Sequence, residues 1–554
     1  MGLGSGAHNS RLRRTPPHWL AGYRCPECAT ERERAHSNGL DLWSLRSTVL
    51  GRSALPYDAR VNVVQLFSQH EPEAIAFICE GESHTYGEVR SRVATARTAL
   101  SAMAKPGSNI VVMGENSLVF IETLLAAISA GLPVVPLHPR FPRGEVDRAV
   151  QLARPVMIVT TDQASQSLVN GLGVEQVAAS TLFEDSEAPQ IDPVGLAPDH
   201  PALLMFTSGT AGSPRIAVLS HANVAASIEQ TMNSATELAD SNHVVLGVMP
   251  LTHVLGIVSV VGVAVSIGAT VVLTTKVDVD SIAEAVQEHQ VTFLVAPPVF
   301  WYRLAHSDVA PAMLASVTMT LSGAAPLSGA VATTMLERFG IRLRQGYGLT
   351  EASPGLASAV GTEAPSTSVG RPLPGVRMRL VDEQGDDVLV GDVGEIWAQG
   401  PNIFSGYLGD EKATAAVVDA NGWLHTGDLA VVDENGFLFI VGRNKDQIIV
   451  SGFNVHPGEV EDRLMEHHTV EAAAVVGAPD PEYGEVVVAY VVASRGMDAD
   501  ADVLEAHCRT RLAGYKVPAR FEVVDELPRG ITGKVQRRML REDPAVDAHG
   551  TAGR

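Results

Sequence analysis

Cysteine is scarce, with four in 554 residues, so no disulfide framework holds this chain together, as expected of a cytoplasmic protein. Basic residues are outnumbered: 41 Lys and Arg against 63 Asp and Glu give a net charge of −22. That balance argues against non-specific binding to nucleic acid or to anionic membranes, and any pocket for an anionic ligand must be a local basic spot in an acidic field. Aromatic residues make up only 5% and charged residues 19%, which suits a Val- and Ala-rich α/β protein. The Arg-rich opening, about residues 1–58 with "RLRRTPPHWL" and "ERERAHSNG", lacks the apolar core of a secretory signal and reads as a poorly ordered extension. Its Cys25 and Cys28 form one C-x-x-C with His18 and His36 nearby. Structural zinc wants four well-spaced ligands, and Cys79 and Cys508 are remote in sequence. The long uncharged run Val254–Thr275, "VLGIVSVVGVAVSIGATVVLTT", is broken by three glycines and has no basic flank or aromatic belt. It reads as a buried helix followed by a buried strand, and no transmembrane span is expected.

The length allows more than one domain. Strand-like runs alternate with amphipathic helical patterns, as in "NIVVMG" before "SLVFIETLLAAISAG" and "RGEVDRAVQLAR" before "VMIVT". This rhythm predicts parallel strands with crossover helices. After about Arg443 a smaller unit follows: "GEVEDRLMEHH" as helix, "AAAVVGA" and "VVVAYVVAS" as strands, "ADVLEAHCRTRLA" as helix. No internal repeat is found.

Against this background "FTSGTAGSPR", Phe206–Arg215, packs Ser, Thr and Gly like a phosphate-binding loop without a lysine. Backbone N–H groups and hydroxyls favour an anion. Unlike the nucleotide loop that opens a helix, it lies between "PALLM" and "IAVLS", both strand-like. Further polar stretches recur: "MPLTHVLGI" with His253, "LSGAAPLS", "RQGYGLTEAS" with Tyr347, Thr350 and Glu351, "GWLHTGDLA" with Asp428, and "LPRGITGKVQRRML" with Lys534. Each has an ordinary structural explanation alone: a turn, a cap, a satisfied core histidine or a solvated lysine. Their joint order changes the odds.

Together these motifs resemble the adenylate-forming superfamily of acyl-CoA synthetases, luciferases and adenylation domains, over about residues 60–543. The likeness is strongest to bacterial fatty acyl-CoA ligases, notably in "KDQIIVSGFNVHPGEVED" and "GYKVPARFEVVDELPRGITGK". The resemblance implies an α/β fold: a large N-terminal domain of mixed sheets flanked by helices (59–443) and a smaller, mobile C-terminal α+β domain (446–543), with a tail at 544–554. It implies that Thr207, Ser208, Gly209, Thr210, Ala211, Gly212 and Arg215 cradle the ATP phosphates. Gly323, Ala324 and Ala325 would line the adenine face, with Gln345, Gly346 and Tyr347 beside it. Glu351 and Thr210 would hold Mg²⁺, with Thr350 near the α-phosphate. Asp428, assisted by Arg443, would bind the ribose hydroxyls. His253 would flank the acyl carboxylate, and Lys534 would be the catalytic lysine, the cation missing from the loop. Lys445 matches the hinge position, and Ser451 and Gly452 count with it among the cofactor-binding residues.

The implied reaction joins a carboxylic acid, a medium- or long-chain fatty acid, to CoA through acyl-AMP, with ATP and Mg²⁺. Similar enzymes usually carry "TSGTTGxPKG"; here Ala211, Arg215 and Ile216 depart from it. Plant ligases of the superfamily carry basic residues at the positions of Ile449 and Ser451, whereas "IIVSGFNV" looks like the bacterial fatty-acid variant. An acyl-AMP ligase loading a carrier protein is one alternative, although only 18 residues separate Glu351 from Gly370, leaving little room for the insertion such ligases carry. A degenerate acyl-nucleotide-binding protein is the other, motivated by Arg215 and Ile216. Peripheral membrane contact and oligomeric state are left open.

Overall fold

The computed structural model describes residues 62–67, 70–184, 192–207, 214–451, 453–480, 483–530 and 534–541. The N-terminal extension with Cys25 and Cys28, the loop residues Ser208, Gly209, Thr210, Ala211 and Gly212, Gly452, and the tail lie outside the described residues.

The large domain is built on two sheets in which parallel pairings predominate. In one, strands run in the order 406–407, 215–220, 201–207, 134–137, 110–113, 157–160 and 175–178. Its centre, Ile110–Met113, Val134–Leu137 and Met157–Thr160, consists of wholly buried apolar runs, the mark of parallel strands covered on both faces. Leu118–Ser129, which crosses between two of these strands, is apolar almost all round and buried accordingly. Ser117 caps it, accepting from the Phe120 amide at 3.2 Å. The second sheet has the order 319–322, 293–296, 244–247, 270–273, 75–79 and 82–85.

The apolar run Val254–Thr275 turns as expected from helix to strand. Leu255–Gly262 forms a π-helical turn, Val263–Ile267 continues as α-helix, and Thr270–Leu273 enters the second sheet. The π turn was not legible in the apolar pattern. It brings Gly256 so near Pro250 that a Cβ would stand 2.6 Å from the Pro250 carbonyl oxygen. Among the described residues no helix is long and apolar enough to cross a membrane.

The strand–helix rhythm stops before residue 346. There the chain forms a three-stranded antiparallel sheet (346–348, 355–358, 371–372) and a four-stranded one (377–381, 394–399, 424–432, 438–443). Tight glycine turns such as that at Gly436, φ 77°, join these strands where helices would be needed for parallel pairing.

The small domain sets antiparallel Val470–Asp480 and Gly484–Ala493 beside the hairpin Ile448–Val450/Phe453–Val455, with Arg520–Val523 added in parallel. Helices Pro457–Met465 and Ala501–Arg509 cover it. Val460, Leu464, Val475, Val487, Leu504 and Cys508 belong to its separate core. A one-turn 3-10 segment, Asn444–Asp446, links the last strand of the four-stranded sheet to Ile448–Val450. Cys79 and Cys508 are free thiols.

Gly370 shows how tightly the antiparallel layer is joined. Its φ is +82°, and a Cβ there would lie 1.9 Å from the Ser358 carbonyl oxygen. Gly370→Ala should therefore destabilise the protein by roughly 2–4 kcal/mol, combining left-handed strain with overpacking. A urea unfolding midpoint unchanged from wild type would contradict that close approach.

Candidate active site

The strands Pro201–Thr207 and Arg215–Ser220 pair antiparallel, with Thr207 opposite Arg215. The Gly/Ser/Thr loop therefore joins two strands, as its flanks suggested. Arg215 Nε lies 3.2 Å from Asp410 Oδ2, and its guanidinium sits 5.4 Å from the centroid of the Tyr407 ring. Tyr407 belongs to the short strand Gly406–Tyr407, which pairs with the strand that Arg215 opens. Its hydroxyl donates to Glu351 Oε1 at 2.6 Å.

Glu351 occupies a single 3-10 turn, Thr350–Ala352, directly after the strand Gly346–Gly348. The turn is pinned on both sides. The Leu349 amide donates to the Pro354 carbonyl at 3.0 Å, and the Phe404 amide donates to the Glu351 carbonyl at 2.9 Å. Gly348 must be glycine for this packing, because a Cβ would stand 2.0 Å from the Pro354 carbonyl oxygen. Asn402 Nδ2 ties the far end, donating to the carbonyls of Ala352 at 2.9 Å and Gly355 at 2.7 Å.

Asp428 is buried, 4% exposed, in the strand Leu424–Val432, whose register places it opposite Arg443. Arg443 Nε approaches Asp428 Oδ1 to 2.6 Å, and the Tyr347 hydroxyl donates to Oδ2 at 2.8 Å. Burial and the adjacent carboxylate hold the Tyr347 phenol well above its ordinary pKa, so it remains a donor. Each carboxylate oxygen keeps a second lone pair, enough to accept from a vicinal diol.

Lys534 joins this group from the far end of the chain. Loss of solvation and the cations Arg443, Lys445 and Arg537 push its pKa down to about 8, while Asp428 opposes them. The residue as a whole keeps contact with solvent, which tempers that shift. Burial and the neighbouring Arg443 likewise lower the Lys445 pKa. Three residues beyond Lys534, Arg537 grips Glu461 through two bonds from its Nη2 at 2.8 and 2.7 Å, and Asp446 of the linking turn lies 3.8 Å from Arg537. His253 also faces Lys534: burial and that ammonium push its pKa down to about 4. Its Nδ1 accepts from the Leu255 amide at 3.3 Å, which assigns the remaining proton to Nε2.

The other residues expected at the site divide. Gly323 lies close to Leu255, and Ala324 holds a left-handed φ of 71° unusual for alanine; Ala325 follows in the same bend after strand Met319–Ser322. Gln345 is a structural tie: its Oε1 accepts from the Leu327 amide at 3.1 Å and its Nε2 donates to the Ser366 carbonyl at 2.8 Å. Ser451 sits in the small-domain hairpin, φ 50°, its amide donating to the Tyr483 carbonyl at 2.7 Å. Tyr407 and Asp410 were not singled out in the sequence. "SGYLGDEKAT" reads as a turn entering a capped helix, and its only signal was an aromatic residue beside an Asp cap.

Comparison with known proteins identifies the family. Residues 64–408 match the family model described as AMP-binding enzyme, and residues 459–534 match the AMP-binding enzyme C-terminal domain. A feruloyl-CoA synthase from Amycolatopsis sp. is 36% identical, the match covering 85% of this chain and 96% of that protein. A long-chain-fatty-acid–CoA ligase from Bacillus subtilis is also 36% identical, over 65% of this chain and 64% of its own length. Among solved structures, ATP-bound MatB from Rhodopseudomonas palustris superposes with a TM-score of 0.81 at 28% identity, over 87% of this chain and 98% of that one.

The electrostatics at Lys534 can be read directly. Its reactivity toward an amine acylating reagent should rise with a midpoint below that of an ordinary lysine, toward pH 8. Asp428→Asn should move that midpoint lower still, since it removes a negative charge that supports the ammonium. A midpoint near that of free lysine would show that the cations do not converge on it.

Proposed function

Because the chain belongs to the AMP-binding enzyme family and is an AMP-forming acid–CoA ligase, we propose that Lys534, Asp428 and Glu351 carry its first half-reaction and that its acid is a medium- or long-chain fatty acid. The observation that carries the assignment of roles is the convergence of Lys534, Arg443 and Asp428 with His253, although they come from distant parts of the chain.

In that first half-reaction a carboxylate oxygen of the acid attacks the α-phosphorus of ATP. A C–O–P linkage forms, the bond to the bridging oxygen breaks, and pyrophosphate leaves. Lys534, still mostly protonated at neutral pH, meets the charge that gathers around phosphorus. Asp428 accepts from the ribose hydroxyls through its spare lone pairs. His253 stays neutral and offers Nε2–H to the acid's carboxylate without locking it in an ion pair. Glu351 suits Mg²⁺, since one oxygen is steadied by a neutral hydroxyl and the other is left for a hard cation bound mainly by phosphates. Mg²⁺ would supply charge neutralisation there. The CoA thiolate then attacks the acyl carbonyl, the acyl–O bond breaks and AMP departs. Lys534 in the first step and the CoA thiol in the second need the same space over the acyl group, so the small domain swings about Lys445 between the steps, a hinge motion.

The fatty-acid reading is supported by an apolar space lined in part by the chain on either side of His253. The turn Leu255–Gly262 contributes Ile257, Val258 and Val261 to a cavity of about 30 Å³ that no polar side chain lines. A phenolic acid would want a hydrogen-bonding partner for its hydroxyl, and selective sites provide one. The cavity holds little more than a water-sized group, so a longer chain would have to part these side chains to enter it. A second reading, an aromatic propenoic acid, is favoured by the full-length similarity to feruloyl-CoA synthase.

Purified protein with ATP, Mg²⁺ and CoA should therefore turn over hexanoate to palmitate with higher kcat/KM than ferulate; the reverse ranking selects the second reading. Lys534→Ala should slow acid-dependent pyrophosphate exchange on the order of 10²–10³-fold while sparing CoA transfer from supplied acyl-AMP. Exchange at the wild-type rate would remove Lys534 from the mechanism. In the wild type, kcat/KM for exchange should fall as pH rises through about 8, because the protonated amine is the working form. Lys534→Arg, whatever its absolute rate, should lack that basic limb.

A further inference from the structure

Arg215, Asp410, Tyr407 and Glu351 form one continuous set of contacts from the mouth of the loop to the carboxylate assigned to Mg²⁺. The backbone fixes it. Tyr407 lies opposite Ala217 in the antiparallel pair, and alternate residues of a strand share a face, so Arg215 and Ala217 present the same side. Tyr407 is 8% exposed; its amide donates to Thr414 Oγ1 at 2.9 Å, and its ring meets Phe404 edge-on, centroids 5.0 Å apart. Burial and the neighbouring Glu351 raise its pKa far above that of an ordinary tyrosine, which keeps the hydroxyl a donor. Its bond to Glu351 Oε1 fixes the plane of the carboxylate.

Asp410 is held just as firmly from the other side. Its Oδ1 caps the short helix Glu411–Ala415, accepting from the Ala413 amide at 2.9 Å, and Oδ2 is the oxygen that meets Arg215. The two side chains are 23% and 43% exposed, and such partly solvated pairs are weak. A phosphate offers the guanidinium more charge and more acceptor oxygens than this carboxylate does.

We propose that Tyr407 is a positioning residue for the first half-reaction, orienting the Glu351 carboxylate while its ring floors the Arg215 guanidinium, and that Asp410 parks Arg215 until a phosphate of ATP exchanges for it. This rests on the reading of Glu351 as the metal-holding carboxylate.

Two substitutions separate the parts. Tyr407→Phe keeps the ring under Arg215 and removes the bond to Glu351. Asp410→Asn keeps a competent helix cap and removes the charge that holds Arg215. ATP binding is measured by calorimetry with and without Mg²⁺, and acid-dependent pyrophosphate exchange is followed against Mg²⁺ concentration, with a thermal melt for each variant. Tyr407→Phe should bind metal-free ATP like the wild type but need on the order of tenfold more Mg²⁺ for half-maximal exchange, as loss of a charge-assisted bond implies. Asp410→Asn should bind metal-free ATP severalfold more tightly. An unchanged Mg²⁺ requirement in a folded Tyr407→Phe protein overturns the role of Tyr407, and unchanged ATP affinity in Asp410→Asn overturns the parking of Arg215. Glu351→Gln distinguishes the layer beneath: if it too leaves the Mg²⁺ requirement unaltered, the metal assignment fails, whereas a raised requirement there with a normal Tyr407→Phe sinks the inference on Tyr407 alone.

Discussion

A buried carboxylate needs partners, and Asp428 determines where they must stand. Taking a carboxylate out of water costs several kcal/mol unless charge and hydrogen bonds replace the lost hydration. The four-stranded sheet supplies Arg443 across the ladder, and the three-stranded sheet supplies the Tyr347 hydroxyl. The same negative charge supports two further cations, Lys445 and Lys534, while Arg537 is held beside them by Glu461 and Asp446. In a chain of net charge −22, this is the local basic spot that a polyphosphate requires. The close approach of Gly348 and Gly370 to neighbouring carbonyls packs the three-stranded sheet that delivers Tyr347.

The link between domains shows a similar economy. Asp446 sits in the turn between the two sheets, near Arg537 and Arg541 of the last described helix. Arg537 in turn grips Glu461, whose Oε1 also accepts from the Val475 amide at 2.7 Å. The loop bearing Lys534 is thereby referenced to the helix Pro457–Met465 and the edge strand Val470–Asp480 of its own domain, and through Asp446 to the linking turn. The charge at Lys534 depends on the large domain, while its position depends on the small one.

Much of this was legible in the sequence because it is local. Apolar runs of four residues between helical patterns give parallel strands, and the glycine-rich loop between two strands is a hairpin connection. What escaped had non-local causes. The antiparallel layer after residue 346 has no helices to betray it, and the π turn after Val254 depends on a hydrogen-bond spacing that an apolar pattern does not encode. Tyr407 and Glu351 are 56 residues apart in sequence and meet only through strand pairing. Gln345 sits in a motif that suggests ligand contact, yet its amide is spent between two backbone groups that no local pattern predicts. The departure at Arg215 also finds a physical setting here: a planar guanidinium can lie against the Tyr407 ring and pair with Asp410 together, which a lysine ammonium does less well.

The small domain folds about a core of its own and connects to the large one through the single turn Asn444–Asp446. Acting as proposed, Lys534 would be a tethered reagent. Its encounter with the cleft is intramolecular, at an effective concentration that a short linker holds in the millimolar range, independent of how much protein surrounds it. Such a tether would let one amine be withdrawn and returned in every cycle without a second binding event, and would make the length of that turn a determinant of rate in its own right.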